Sequence, residues 1–108
     1  MKYAVLIVRQ AVDDAEQIYD WLSTKSPEGA VRWFEVFLNA VSSVRDDPFA
    51  FGFAHESRSF GREVHERIFR TRRGQPYRLL FEIIGRNVRI LRVRAPGQPP
   101  VRPEDIRS

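Results

Sequence analysis

Three arginines near the end of the chain, Arg78, Arg92 and Arg94, are the residues best suited to chemistry here. A guanidinium stays charged, carries five donors in a fixed fork and matches phosphate or carboxylate bidentately, so it can hold an anion or steady one forming in a transition state. It hardly deprotonates, so acid or base work falls to other groups. Glu82 lies four residues beyond Arg78, His65 and Glu66 open an upstream apolar run, and His55 stands in a loop. Each of these is a type of residue that is more often an ordinary surface group than a catalyst. No set of His, Asp and Glu has metal-ligand spacing, no serine has a convincing histidine partner, and there is no cysteine. Metal, serine-hydrolase and thiolate chemistry are therefore unsupported, and no cofactor is implied.

The charge is unevenly divided. Residues 1–56 hold 5 basic and 9 acidic groups, and residues 57–108 hold 13 basic and 5 acidic, all thirteen being arginine. The net charge of +4 thus conceals −4 in the first half and +8 in the second. That asymmetry points to a phosphate-rich partner for the second half, the bland alternative being a solvated arginine-rich surface. Lack of cysteine fits a reducing cytoplasm. The apolar run Tyr3 to Val8 is too short for a membrane span or a signal-peptide core and reads as a buried strand.

The elements that would carry these groups follow from periodicity. An apolar content of 43% in 108 residues suits one folded domain over 1–108. Ala11, Ala15, Ile18, Tyr19 and Leu22 recur at helical spacing, with Asp13, Asp14 and Glu16 expected in the first turn, where the helix dipole favours negative charge. Ser26 and Pro27 suit the cap and first position of a second helix. Its apolar stripe, Ala30, Trp33, Phe34, Phe37, Leu38, Val41 and Val44, runs until Asp46-Asp47-Pro48 stops it. The short link between the helices implies an antiparallel hairpin.

From Pro48 to Gly61 a loop is expected, pinned to the core by Phe49, Phe51 and Phe53. Three strand-like runs follow, Val64 to Arg70, Tyr77 to Ile84 and Val88 to Arg94, forming two hairpins. The tail from about 95–108 contains Pro96, Pro99, Pro100 and Pro103 and should be extended. The fold class is α+β, ordered β-α-α-β-β-β, with a mostly antiparallel sheet and the helical hairpin on one face. The opposite sheet face is expected to stay open and to carry the site.

Two registers compete in the last hairpin. Pairing Ile84 with Val88 sets Arg78 opposite Arg94 and Leu80 opposite Arg92, with Leu91 and Val93 on the helix-facing layer and Ile90 on the open face. Facing like charges are unfavourable unless compensated, and so they often mark an anion site. A two-residue turn pairs Ile84 with Asn87 instead and sets Glu82 opposite Arg89, an attractive pair. The first register is preferred for its more uniformly apolar core layer.

The run Tyr77-Arg78-Leu79-Leu80-Phe81-Glu82-Ile83-Ile84-Gly85, with Val88-Arg89-Ile90-Leu91-Arg92-Val93-Arg94 after it, resembles the C-terminal signature of the RelE/ParE toxins. The Ser26-Pro27-x-x-Ala30-x-x-Trp33-Phe34 opening of the second helix is similar to theirs too, and the likeness spans about residues 3–101. The resemblance implies the toxin of a type II toxin–antitoxin pair, wrapped and blocked by a cognate antitoxin. RelE-like members cleave mRNA in the ribosomal A site; ParE-like members inhibit DNA gyrase and are not nucleases. The expectation leans to metal-independent cleavage on the ribosome. It places Arg78, Arg92, Arg94 and Glu82 at the catalytic site and Arg70, Arg72 and Arg73 on the nucleic-acid backbone. Against it, Arg94-Ala95-Pro96-Gly97-Gln98 replaces the His or Tyr of many RNase members, so the general base is unassigned. The alternatives are gyrase inhibition and a non-catalytic basic RNA-binding module.

Overall fold

The computed structural model describes residues 2–106. Strand β1 (Ala4–Ile7) runs almost directly into α1 (Arg9–Lys25), and α2 (Pro27–Asp46) begins after Ser26 alone. The Ser26 hydroxyl accepts from the Gly29 N–H at 3.0 Å, and Pro27 occupies the first turn, where no hydrogen bond is lost. Because β1 feeds α1 without a loop, the helix starts at Arg9, and its first turn contains no acidic residue. Asp13 and Asp14 therefore lie a turn further in than expected, which frees Asp14 for another use described below.

A short helix, α3 (Glu56–Phe60), then precedes β2 (His65–Phe69), β3 (Tyr77–Ile84) and β4 (Asn87–Arg94). Strand order is β1-β4-β3-β2, with β1 parallel to β4 and the other pairs antiparallel. The helical hairpin covers one face. Its core joins Ala11, Ala15, Trp33, Phe37, Ala40 and Val44 to Phe69, Leu79, Phe81, Val88, Ile90 and Val93. Trp33 and Phe37 stack with ring centroids 5.4 Å apart, and Trp33 also meets Phe69 and Tyr77. No helix among the described residues is long and apolar enough to cross a membrane.

Both competing registers are present, one in each half of the β3–β4 hairpin. Arg78↔Arg94 and Leu80↔Arg92 hold at the open end, while Glu82↔Arg89 and Ile84↔Asn87 hold at the turn, with a shift between Leu80 and Phe81. Gly85, at φ 59°, begins the two-residue turn in a conformation that costs glycine little. Leu91 is the residue left over, a β-bulge that reverses the inward phase of β4. Ile90 consequently joins the helix-side core and Leu91 the other face, the opposite of the preferred reading.

That other face is not bare. Leu80 and Leu91 lie under a second apolar cluster with Ala54, Val64 and Val101, flanked by Phe60 and Ile106. The loop from Pro48 onward and the proline-rich tail together roof this side of the sheet. Val101 is 2% exposed, so the tail is packed rather than free. Of the three loop phenylalanines only Phe51 packs on the main core; Phe49 and Phe53 are 65% and 60% exposed.

Candidate functional site

The sheet brings Arg78, Arg92 and Arg94 to one face, as their alternation requires, but it also brings carboxylates to meet two of them. Arg78 forks onto Glu56 at 2.6 and 2.9 Å, and its Nε donates to Glu66. Glu56 is 1% exposed and also accepts the Val101 N–H at 3.1 Å. One buried carboxylate thereby ties α3, β3 and the tail together. Burial alone would raise its pKa, but the Arg78 guanidinium and the Val101 N–H outweigh burial and bring it from 4.5 down to about 2. Glu56 in turn drives the Arg78 pKa above its ordinary value.

Arg92 is held from the other side. β1 ends at Ile7, whose neighbour Val8 gives its N–H to Ile90, and beyond that point β4 has no strand on its β1 side. Asp14 of α1 fills the gap. Its carboxylate accepts the Val93 N–H at 2.9 Å and takes a bidentate pair from Arg92 at 2.7 and 2.9 Å. Arg92 also donates to the Asp105 carbonyl at 2.9 Å, fastening the end of the tail. The Asp14 contact raises the Arg92 pKa above its usual range.

Arg94 differs. It donates to the Pro99 carbonyl at 2.5 Å, while its Nε is buried without a partner among the described residues. Burial and then the neighbouring Arg92 charge lower its pKa. Glu82, 6% exposed, is clamped by Arg89 at 2.9 Å and Arg62 at 3.4 Å. His65 is buried, donates from Nδ1 to the Phe51 carbonyl at 2.9 Å, and stacks on Phe81. His55 is exposed, with Nε2 3.7 Å from Glu56. Arg70, Arg72 and Arg73 sit exposed at and beyond the end of β2, with no ion pair among the described residues, and do not join the Arg78 group.

The two residues that organise this face, Glu56 and Asp14, were not singled out by their spacing. A signal existed: arginines facing one another across β3 and β4 demand compensating carboxylates. The sequence does not show which acids, distant along the chain, would answer that demand.

On the helix side a groove of about 760 Å³ opens between the second half of α1, the first turns of α2, the β2–β3 turn and the segment after β4. Its rim carries Trp21, Lys25 and Arg32, and Trp33 and Tyr77 lie deeper. Burial raises the Tyr77 pKa, so its phenol stays neutral at physiological pH.

The comparisons with known proteins agree with this architecture. The family model described as the ParE toxin of the type II toxin–antitoxin system, parDE, matches residues 5–98. A solved structure titled "Chromosomal ParDE TA system from P. aeruginosa" is similar in fold, with a TM-score of 0.64 and 21% identity over 86% of this chain and 95% of that one. No curated protein matches the chain.

Proposed function

The chain belongs to the ParE toxin family, and on that premise we propose that it is a growth-inhibiting toxin, restrained in the cytoplasm by a cognate antitoxin, whose released form acts on DNA gyrase and does not cut mRNA. The observation that carries the choice between the two activities is the engagement of Arg78 and Arg92 by Glu56, Glu66 and Asp14 beneath the chain's own tail.

Cleavage at a ribose 2′-hydroxyl needs a base, an acid and a cation placed over the scissile phosphate. Here two of the three cations already have carboxylate partners. An incoming phosphate would have to displace an internal ion pair and lift the tail. Glu82 is clamped between the Arg89 and Arg62 guanidiniums, so both of its carboxylate oxygens are already engaged inside the protein. The leaning to ribosomal mRNA cleavage therefore gives way to gyrase inhibition as the better-supported reading. Arg70, Arg72 and Arg73, exposed and without an ion pair among the described residues, are the residues left for contact with nucleic acid, at the periphery of a DNA-bearing target.

Inducing the chain without an antitoxin should arrest growth and accumulate gyrase–DNA cleavage complexes while messages stay intact. Transcript-end mapping that reveals in-frame A-site cuts within minutes, without such complexes, would return the ribosome and its mRNA as the target. Unaffected growth would remove the toxin reading itself.

A further inference from the structure

We propose that the cleft between α2 and the edge strand β2, with a phenylalanine platform at its head, binds single-stranded DNA, its phosphates on arginines and a base on an exposed ring. The choice of DNA rests on the gyrase reading above, since an enzyme that cuts and parts DNA strands exposes unpaired bases. The surface itself is read from its own side chains.

β2 is the outermost strand of the sheet. The loop before it crosses its first residues, where Phe53 bridges His65 and the Glu66 N–H reaches the Gly52 carbonyl at 3.0 Å. Phe53 thereby heads a series of rings that runs inward through His65 to Phe81, with centroids 4.7 and 5.3 Å apart. The inner two rings are buried, so the series is anchored in the core. Phe53 nevertheless stays 60% exposed, and Phe49, edge-on to His65 at 6.2 Å, stays 65% exposed. An exposed ring at the head of such a series is where a nucleobase adds as the next member. Stacking of this kind accepts any base, because every base has a flat π-face. A duplex keeps those faces inside its own stack, so the surface calls for a single strand.

Past Glu66 the cleft begins. It has a volume of about 480 Å³, is walled by Val36 and Asn39 of α2 and by Arg67 and Arg70, and has no carboxylate in its lining. Arg67 lies over the Phe51 ring at 5.1 Å and donates to the Ser43 hydroxyl at 3.2 Å and the Ile68 carbonyl at 2.6 Å. Both acceptors are neutral, so its charge is left for an incoming anion. Arg70 is exposed, and Arg72 and Arg73 carry the same charge past the end of the strand. The five residues of β2 span roughly 17 Å, room for a few phosphates about 3.4 Å or more apart. Glu66 turns to the opposite face, where Arg78 holds it. Asp47 and Glu63, exposed acids beside the platform in sequence, lie outside the cleft, and Arg58 and Arg62 border Phe53 together with Glu63. An acidic peptide would meet the arginines, but a nucleic-acid strand carries a charge and a flat ring on every unit, the two features this surface sets side by side. A second copy would bring like guanidiniums face to face, which is unfavourable.

Fluorescence anisotropy of a dye-labelled oligothymidylate about twelve nucleotides long, titrated with the full chain, measures the binding directly. An abasic strand of equal length should bind about tenfold more weakly or worse, and Phe49→Ala with Phe53→Ala should weaken binding of the intact strand by a similar factor. Arg70→Ala with Arg72→Ala should lower the slope of log affinity against log salt by about two. All four side chains are exposed, so thermal unfolding should not change. Equal affinity for the abasic strand, or indifference to the phenylalanine replacements, overturns the platform, and an unchanged salt slope takes the cleft off the phosphate path. Tighter binding of the matching oligouridylate overturns the assignment to DNA. Dimers that form as the chain is concentrated and vanish with the phenylalanine replacements, while the oligonucleotide stays free, assign the face to a second copy. A chain that binds no oligonucleotide yet accumulates gyrase–DNA cleavage complexes on induction rejects the surface and leaves the toxin reading standing. Binding as expected without such complexes upholds the surface and rejects gyrase as the target.

Discussion

Glu56→Ala should cost about 3–5 kcal/mol of folding stability, because it takes the forked partner from the Arg78 guanidinium, leaving it Glu66 alone, and removes the acceptor of the Val101 N–H. Arg78→Ala should cost a similar amount from the other side, leaving a carboxylate that is 1% exposed without its cation. Loss of toxicity in Arg78→Ala would therefore report unfolding before it reported chemistry. The same pair sets the acid limb of stability. The folded Glu56 pKa of about 2 lies below the ordinary 4.5, so its contribution is full above pH 4.5 and is lost as pH falls towards 2. That difference corresponds to stabilisation on the order of 3 kcal/mol. Glu56→Gln should flatten the limb, and urea unfolding followed from neutral pH down to about 2 measures it.

Trp33→Ala should be as damaging, at about 3–5 kcal/mol, since it empties the centre of an aromatic cluster that joins α2 to β2 and β3. Trp33→Phe should cost much less, about 1.5 kcal/mol or below, because it keeps a ring against Phe37 and deletes an indole N–H that has no partner. Urea unfolding of the two variants separates packing from polar satisfaction. If alanine proves no worse than phenylalanine, the cluster is not what holds the hairpin to the sheet.

Much of the helix-side architecture was legible because it follows from local chemistry. Ser26 and Pro27 announce the start of α2 by themselves, and the stripe from Ala30 to Val44 can face only a core. The sheet's far side was not legible, for two physical reasons. A β-bulge at Leu91 breaks strict alternation, so no single register describes β4, and both readings of the hairpin were half right. The arginines were visible, but their partners come from α1, α3 and the start of β2, and Glu56 and Asp14 reach them only through tertiary packing. The tail's place on the sheet stayed open because prolines predict an extended chain and say nothing of what it packs on. Val101, under Glu56 and against Leu80 and Leu91, is what closes that face.

If the toxin acts on gyrase, Arg78 serves the fold and not the reaction. The most direct test is the double replacement Glu56→Gln with Arg78→Met, which removes both charges of the buried pair together and keeps an amide oxygen to accept the Val101 N–H. Growth arrest on induction is then compared with that of the parent chain, alongside unfolding curves. The double variant should fold and still arrest growth. A folded double variant that no longer does so would contradict it and place the Arg78 guanidinium at the point of action.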